Sequence, residues 1–336
     1  MTINRRTFGK IAAAGAVGGL ALPYVAREGY AAAAHTLKLT FADTRNHPLL
    51  GVLERFAENV KKKTDGAVEI QVFSTGELGS QTNILTGMQT GIIDLCAHTS
   101  GFIDTLFPQF QVVDLPFLFS DSATAEKMLD GKVGKQLLDL MPTKGIYGLG
   151  YGHWGWRVCS TIGRKIPKPA DIKGLKVRVQ PGPIFAATFR ALEASPIAID
   201  YSEVYLALSQ HTVEAVETPI IALPTAKHYE VVNTINLLNH VYNAGALMAS
   251  KRKFDALPKN HQEAIRAATV DLTADWRKTI KEKTDETAEF LKGKGLTINE
   301  VDRPAYRKAT DSVYKEFKPI VGAELFDAVL KEAGQG

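Results

Sequence analysis

Strand-like and helix-like patterns alternate in the first third of the chain, and this order constrains the fold more than any other feature. Residues 37–42 alternate apolar and polar side chains, and residues 68–73 do the same, as expected of half-buried strands. Residues 48–63 place apolar side chains at helical spacing, residues 81–90 are also predicted to be helical, and 92–98 form a mostly buried third strand. This order predicts a parallel sheet with crossover helices, and therefore an α/β fold.

The rest of the chain continues the pattern and ends in a long helix. Its 336 residues suffice for two domains, and the helix-compatible window 261–292 would extend about 45–50 Å if it is continuous. A helix of this length is expected to span both domains. Further helices are predicted at 122–140 (with Ser122 as N-cap and Glu126 in the first turn), 183–193 and 203–212, and further strands at 145–152, 175–180, 197–200, 213–218 and 234–242.

The N-terminus has the three parts of an export signal. Arg5 and Arg6 provide a positive start, the apolar stretch 11–26 follows, and 31–34 supplies small residues of the kind found at cleavage sites. The arginine pair resembles the twin-arginine signal. A membrane anchor is the alternative, but the apolar stretch is short for the ~20 residues of a span. We therefore predict residues 1–34 to be a signal peptide, with cleavage near Ala34 and a periplasmic mature protein.

Charge and composition exclude several classes of function. The net charge is +4, but residues 1–34 hold four basic and one acidic side chain, so only +1 remains for the mature chain. No overall basic excess is left to attract nucleic acid. Only Cys96 and Cys159 are present, and no histidine pair has metal-ligand spacing. We therefore expect no metal or cofactor, and no set of residues in the sequence indicates an enzyme active site.

Two arginines are candidates for binding an anion. Arg178 lies in the middle of a predicted strand, and a guanidinium there can hold a carboxylate through two parallel hydrogen bonds. The alternative is an exposed strand arginine with its stem on the surface. Arg157 follows Trp154 and Trp156 at the end of a strand, and the alternative for it is a cation stacked in the interdomain packing.

Several segments of the chain resemble a known family, the extracytoplasmic solute-binding subunits of tripartite ATP-independent periplasmic (TRAP) transporters, of the dicarboxylate- and sialate-binding type. The order and spacing of the shared segments extend along nearly the whole mature chain. These segments are Gly-Glu-Leu-Gly at 76–79, Gly-Ile-Ile-Asp at 91–94, Asp-Leu-Pro-Phe-Leu-Phe at 114–119, Ile-Lys-Gly-Leu-Lys-Val-Arg at 172–178, Tyr-Ser-Glu-Val-Tyr-Leu-Ala-Leu at 201–208 and Val-Glu-Ala-Val-Glu-Thr-Pro at 213–219.

The resemblance implies a two-lobed periplasmic-binding-protein fold, with crossing strands and a long helix that spans both lobes. Lobe I would comprise 35–155 and about 244–284, and lobe II would comprise 156–243 and about 285–336. The cleft between the lobes would capture a small organic acid and deliver it to the small and large membrane subunits of a TRAP transporter. The resemblance also implies a monomer, with transport rather than covalent chemistry as the outcome.

The resemblance also assigns positions in the cleft. Arg178 occupies the position of the arginine that clamps the ligand carboxylate, Arg157 that of a second arginine, and Tyr201 an aromatic position that packs on the ligand. Thr218 stands where sialate-type members often carry an asparagine, and this departure argues against sialate. The other expected cleft residues are Glu217, which could instead be a structural partner of a cleft arginine, Trp154, which could instead pack between the lobes, and His98, Gln81 and Thr99.

The ligand and the destination of the bound complex stay open at this stage. Ala42, Asp43 and Phe102 make the expected pocket less polar than one built for a nine-carbon sugar acid, while His98 and His153 at strand ends could face a smaller or aromatic acid. A dicarboxylate, a hydroxy or keto acid and an aromatic acid all fit. The binding protein could also dock on a signalling receptor rather than a permease, and a periplasmic enzyme would need one of those two histidines as its base.

Overall fold

The structure is a computed structural model that describes residues 33–41, 43–74, 77–79 and 81–335, without the side chains of Gln81 and Thr82. The arginine pair of the predicted export signal therefore lies outside the described residues. Strands are β1 (His35–Phe41), β2 (Val68–Phe73), β3 (Leu95–Thr99), β4 (Ile146–Thr161), β5 (Lys176–Val179), β6 (Ser195–Ala198), β7 (Ala215–Pro219), β8 (Thr234–Asn236), β9 (Tyr242–Ser250) and β10 (Thr297–Asn299).

Helices cover the sheet and connect most of its strands. The α-helices are α1 (Leu49–Lys63), α2 (Gln81–Thr90), α3 (Ser100–Ile103), α4 (Ser122–Asp130), α5 (Lys132–Leu140), α6 (Pro183–Ala191), α7 (Val204–Ser209), α8 (Ala222–Thr225), α9 (Lys251–Asp255), α10 (Lys259–Gly293), α11 (Arg303–Ala309), α12 (Asp311–Val321) and α13 (Ala323–Glu332). Short 3₁₀ helices lie at Pro108–Asp114, Met141–Lys144, Pro169–Ile172, Tyr201–Glu203 and His228–Glu230.

The sheet confirms the predicted α/β class and its parallel start. Its strand order is β2-β1-β3-β9-β4-β7-β5-β6, with β8 paired to β4 and β10. β1 lies between β2 and β3 and is parallel to both, with Leu39 opposite Val72 on one side and Leu95 on the other. This parallel arrangement requires the α1 and α2 crossovers, because two parallel strands cannot be joined by a tight turn.

β4 is longer than predicted and links the two halves of the sheet. Its first part pairs with β9 from Ile146 to Trp156, and its last five residues pair with β7 from Arg157 onward. The register shifts between His153 and Trp156, where Gly155 has a φ of 97° that favours glycine. The strand therefore crosses from the sheet of the first lobe to that of the second and changes direction at a bulge.

The predicted strand at 234–242 was wrong in its extent. β8 ends at Asn236, and Asn239 adopts a φ of 43°, which interrupts the extended backbone. β9 begins only at Tyr242 and continues to Ser250, antiparallel to both β3 and β4. Every residue of β9 is buried, so no alternation of apolar and polar side chains marks it in the sequence.

The predicted helix at 122–140 is two helices. Gly131 is extended between α4 and α5, so the helical backbone is interrupted at that residue. The N-cap of α4 is Asp121 rather than Ser122, because the Asp121 carboxylate accepts a hydrogen bond from the Thr124 amide at 2.8 Å.

The long helix α10 runs from Lys259 to Gly293 and packs on both lobes, as predicted. Ile265 and Trp276 belong to an apolar cluster with β1, α1 and β9, whereas Leu291 belongs to a second cluster with α7 and β7. The Trp276 indole donates to the His153 carbonyl at 2.8 Å and fixes the helix to β4 near its bulge. Among the described residues, no helix is long and apolar enough to cross a membrane.

Candidate ligand-binding cleft

One pocket gathers side chains from both lobes at the ends of β1, β3, β5 and β7 and along the crossing part of β4. The cavity has a volume of about 40 Å³. Ends of strands in an α/β sheet are common positions for ligand sites. The lining residues are Asp43, Thr99, Phe102, Trp154, Arg157, Arg178, Gln180, Tyr201, Thr218, Pro219, Ile221, Ala222 and Asn243.

Arg157 is fully occupied by partners from its own chain. Its Nε donates to the Glu217 carboxylate, and its Nη2 donates to the Glu217 carbonyl at 2.8 Å. Nη1 donates to the Asn243 side chain at 3.0 Å and to Gln180 at 3.3 Å. The guanidinium and the carboxylate are both buried. These hydrogen bonds offset the cost of burying the ion pair, so it forms a well-defined part of the pocket wall.

Glu217 lies behind the pocket rather than in its lining. Burial alone would raise the pKa of its carboxyl, but Arg157 and then His240 lower that pKa to about 2. The second carboxylate oxygen accepts a hydrogen bond from the backbone N–H of Gln180 at 3.1 Å. Ionised Glu217 thus neutralises Arg157 and holds the chain after β5 in place, which is the structural alternative considered from the sequence.

Arg178 differs from Arg157 because no carboxylate neutralises it. It is buried with 2 % exposure, and its Nε and Nη2 donate to the Ile199 carbonyl at 3.0 and 2.8 Å. Among the described residues it forms no ion pair. Burial lowers the pKa of its guanidinium to about 10, so it stays charged at neutral pH. A positive charge that is buried, oriented and unpaired is suited to bind an anion.

Asp43 is a pocket residue that was noted in the sequence only as a departure from the family pattern. It follows β1 and is 6 % exposed, and its Oδ2 accepts a hydrogen bond from the Trp154 indole. Gln180 and Asn243, which also line the pocket, were missed entirely. Their only sequence signal is a polar residue at the end of β5 and inside the apolar strand β9, which is weak without the fold.

The predicted site residues divide into those at the pocket and those elsewhere. The pocket is lined by Arg178, Arg157, Tyr201, Thr218, Trp154 and Thr99. His98 lies beneath it, where its Nδ1 accepts from the Thr99 amide at 2.9 Å and burial lowers the pKa of its ring to about 3. The side chain of Gln81 lies outside the described residues.

His153, expected near the cleft, lies elsewhere. Its ring stacks on Tyr242 at 4.7 Å between centroids, and it lines a different cavity beside α4 and α10. Because Trp154 points to the pocket, its neighbour on the strand points to the opposite face. In the part of the chain that the structure describes, no three histidine, cysteine, aspartate or glutamate side chains are placed to hold a metal ion.

The fold and the pocket together define a two-lobed binding protein whose cleft holds an arginine without a carboxylate partner. Residues 40–319 match the family described as bacterial extracellular solute-binding protein, family 7 (DctP), and the chain belongs to this family. Its relatives and structural neighbours are solute-binding proteins of transporters rather than enzymes.

Three similar proteins illustrate the range of the family. The 2,3-diketo-L-gulonate-binding periplasmic protein of Escherichia coli is 30% identical over 304 residues, 90% of each chain. The sugar acid binding protein of Advenella mimigardefordensis, solved with galactonate, is 31% identical with a TM-score of 0.86, covering 89% of this chain and 98% of that one. A TRAP periplasmic solute-binding protein of Sulfurospirillum deleyianum, solved with succinate, is 29% identical with a TM-score of 0.83, covering 88% and 98%.

Proposed function

We propose that this protein is the periplasmic solute-binding subunit of a TRAP transporter and that its cleft captures a small organic acid by the carboxylate. Arg178 carries the proposal, because it is the buried guanidinium of the pocket that no carboxylate of the described chain neutralises. The similar proteins with galactonate, diketogulonate and succinate all bind organic acids, which supports the same ligand class here.

The expected binding step follows from the chemistry of the pocket. The ligand carboxylate pairs with Arg178, while Arg157 keeps Glu217 and holds the wall of the pocket in a fixed geometry. Trp154, Tyr201 and Phe102 provide apolar surface for the carbon chain of the acid. Closure of the lobes excludes water, and the lower local dielectric strengthens the pairing with Arg178.

Export and delivery complete the proposed role. Residues 1–34 direct the folded protein to the periplasm through the twin-arginine pathway, and the closed, liganded monomer docks on the membrane subunits of the transporter. We keep the predicted lobe boundaries, with lobe I at 35–155 and about 244–284 and lobe II at 156–243 and about 285–336, as part of this proposal.

A thermal-shift screen of the protein purified from the periplasm, after unfolding and refolding to remove bound ligand, tests the proposal. A ligand at 100 times its Kd stabilises a protein by about 2.7 kcal/mol, which raises Tm by several degrees. We expect such shifts with organic acids and not with neutral sugars. Arg178→Ala should abolish them, because the carboxylate would then be buried without a partner, at a cost of about 2–5 kcal/mol.

Arg190→Ala is the matched control, since it removes an arginine whose side chain is 58 % exposed on α6, outside the pocket. It should leave the ligand-induced shift unchanged. Shifts with neutral sugars that survive Arg178→Ala would refute the carboxylate-binding function.

A further inference from the structure

We infer that Asp43 makes this cleft selective for hydroxylated monocarboxylates, such as aldonic acids, over dicarboxylates of the same length. The inference rests on the proposed function, since it assumes that an organic acid pairs with Arg178. The inference concerns the part of the ligand that lies away from the carboxylate bound to Arg178. Membership of the family does not decide the matter, because its members include proteins solved with galactonate and with succinate.

Apart from Asp43, the charges in and behind the pocket balance one ligand carboxylate. Asp43, Arg157 and Arg178 are the charged side chains that line the pocket among the described residues. The buried Glu217 neutralises Arg157, which leaves a single arginine without a carboxylate partner. A monocarboxylate uses that arginine, whereas a second carboxylate on the ligand would find no free cation and would be desolvated without compensation.

Asp43 adds a preference for ligand groups that donate hydrogen bonds. The Trp154 indole donates to its Oδ2 and so fixes the orientation of the carboxylate, while its Oδ1 accepts no hydrogen bond from the described residues. An ionised carboxylate can only accept, so this oxygen needs a donor. A ligand hydroxyl supplies one, whereas an ionised ligand carboxylate supplies none and repels the negative charge of Asp43.

The surroundings keep Asp43 available for this role. Arg45, two positions along the chain, pairs with Glu77 at 3.0 Å. His47 interacts with Asp43, but burial lowers the pKa of its ring, so it is neutral at pH 7 and does not compensate Asp43. Tyr201 is also neutral, because burial and then the charge of Asp43 raise the pKa of its phenol. The remaining polar groups of the lining, Thr99, Thr218, Gln180 and Asn243, are uncharged partners that suit hydroxyls.

Calorimetric titration with acids of equal chain length tests the inference. The probes are D-erythronate against succinate, with four carbons each, and D-galactonate against galactarate, with six. Like charges in a partly buried site repel by enough to change Kd about tenfold or more, so we expect each hydroxy monocarboxylate to bind at least that much tighter than its dicarboxylate partner. At least one of the two monocarboxylates should bind measurably.

The Asp43→Asn variant should reduce the ratio of the dicarboxylate Kd to the monocarboxylate Kd about tenfold. The substitution removes the charge repulsion and weakens the hydrogen bond to a ligand hydroxyl. Its amide oxygen can still accept the hydrogen bond from Trp154. Asp139→Asn, which removes the same charge from a side chain with 62 % exposure on α5, should leave the ratio unchanged.

The outcomes separate this inference from the proposed function. If Arg178→Ala abolishes binding of both acids but succinate binds as tightly as erythronate, or the ratio is the same in Asp43→Asn, the selectivity inference is wrong and the function stands. Wild-type protein that binds neither monocarboxylate also contradicts the inference. If binding survives Arg178→Ala, the proposed function itself fails.

Discussion

Arg157 and Glu217 show how this protein keeps one arginine structural and leaves the other for its ligand. Both guanidinium groups are buried, yet only Arg157 has a carboxylate partner. The two residues of the pair are 60 positions apart in sequence and meet because β4 and β7 are antiparallel neighbours, with Cys159 opposite Glu217. The residue pattern alone shows two candidate arginines, and the family resemblance assigns the carboxylate clamp to Arg178. The pairing of β4 with β7 explains why Arg157 has a structural partner instead.

Replacement of Glu217 by glutamine should destabilise the fold. The variant leaves Arg157 charged and buried without its counter-charge, so we expect a loss of about 3–5 kcal/mol in the free energy of unfolding at pH 7. Urea denaturation of the two proteins measures this loss. Glu282→Gln, on the exposed face of α10 with a side chain 60 % exposed, should change the free energy by less than about 0.5 kcal/mol.

The same pair predicts how stability depends on pH. The pKa of Glu217 is about 2 in the fold against an ordinary value of 4.5, so its ionised form stabilises the protein above about pH 4.5. This contribution is lost as the pH falls from about 4.5 towards 2. Urea titrations over this range should show a shallower decline for Glu217→Gln than for wild type, and parallel curves would contradict the assignment.

At the scale of elements, local patterns predicted those strands and helices that have one polar face. β1, β2, α1 and α10 carry alternating or helical apolar patterns, and their predicted and observed bounds differ by only a few residues. β9 is buried on both faces and has no such pattern. The break between α4 and α5 is the extended backbone at Gly131, which periodicity alone does not show.

Local sequence patterns also predicted only part of the pocket. Arg157, Arg178, Tyr201 and Thr218 could be expected there because their motifs resemble those of the family, and the structure places all four in one lining. Asp43 follows the end of a strand without a motif, and its proximity to Trp154 depends on the neighbouring positions of β1, β3, β9 and β4 in the sheet. Contacts of this kind are tertiary, so no local signal reports them.

The packing of α10 on β4 depends on the absence of a side chain at Gly152. A Cβ at this position would overlap the indole ring of Trp276, which is 1 % exposed. Gly152→Ala should therefore lower the free energy of unfolding by about 1–3 kcal/mol, since a packed core does not absorb an added methyl group without strain. Thermal and urea unfolding measure the effect.

Gly293, at the end of the same helix, is the control for this substitution. A Cβ there would meet nothing within 4 Å, so Gly293→Ala should be neutral or stabilise the protein by up to about 1 kcal/mol. Equal effects of the two substitutions would show that contact between Gly152 and Trp276 does not hold α10 to the sheet.

At the scale of the whole molecule, we propose that ligand binding needs a close approach of the two lobes at α3. Gly101, in α3 of the proposed lobe I, lies against the side chains of Gln180 and Phe185, which belong to the proposed lobe II. A Cβ on Gly101 would overlap the Gln180 amide and lie 2.6 Å from the Phe185 ring. This position of α3 therefore has room for a glycine and for no larger residue when the cleft has this geometry.

Gly101→Ala should weaken ligand binding about tenfold or more without a comparable loss of stability in the free protein, because the lobes can separate to relieve the overlap. Calorimetry gives the Kd, and urea unfolding without ligand gives the stability. Gly51→Ala on α1, where the nearest atom is the end of the Arg55 side chain at 3.4 Å, should change neither. An unchanged Kd for Gly101→Ala would mean that the bound state does not use this close approach.

A crystal structure of the refolded protein with the tightest-binding acid of the screen would test the role of Arg178 directly. The ligand carboxylate should lie within hydrogen-bond distance of the Arg178 guanidinium, with Arg157 still bound to Glu217. A ligand carboxylate bound to Arg157 in place of Glu217, with Arg178 making no contact to the ligand, would contradict this role.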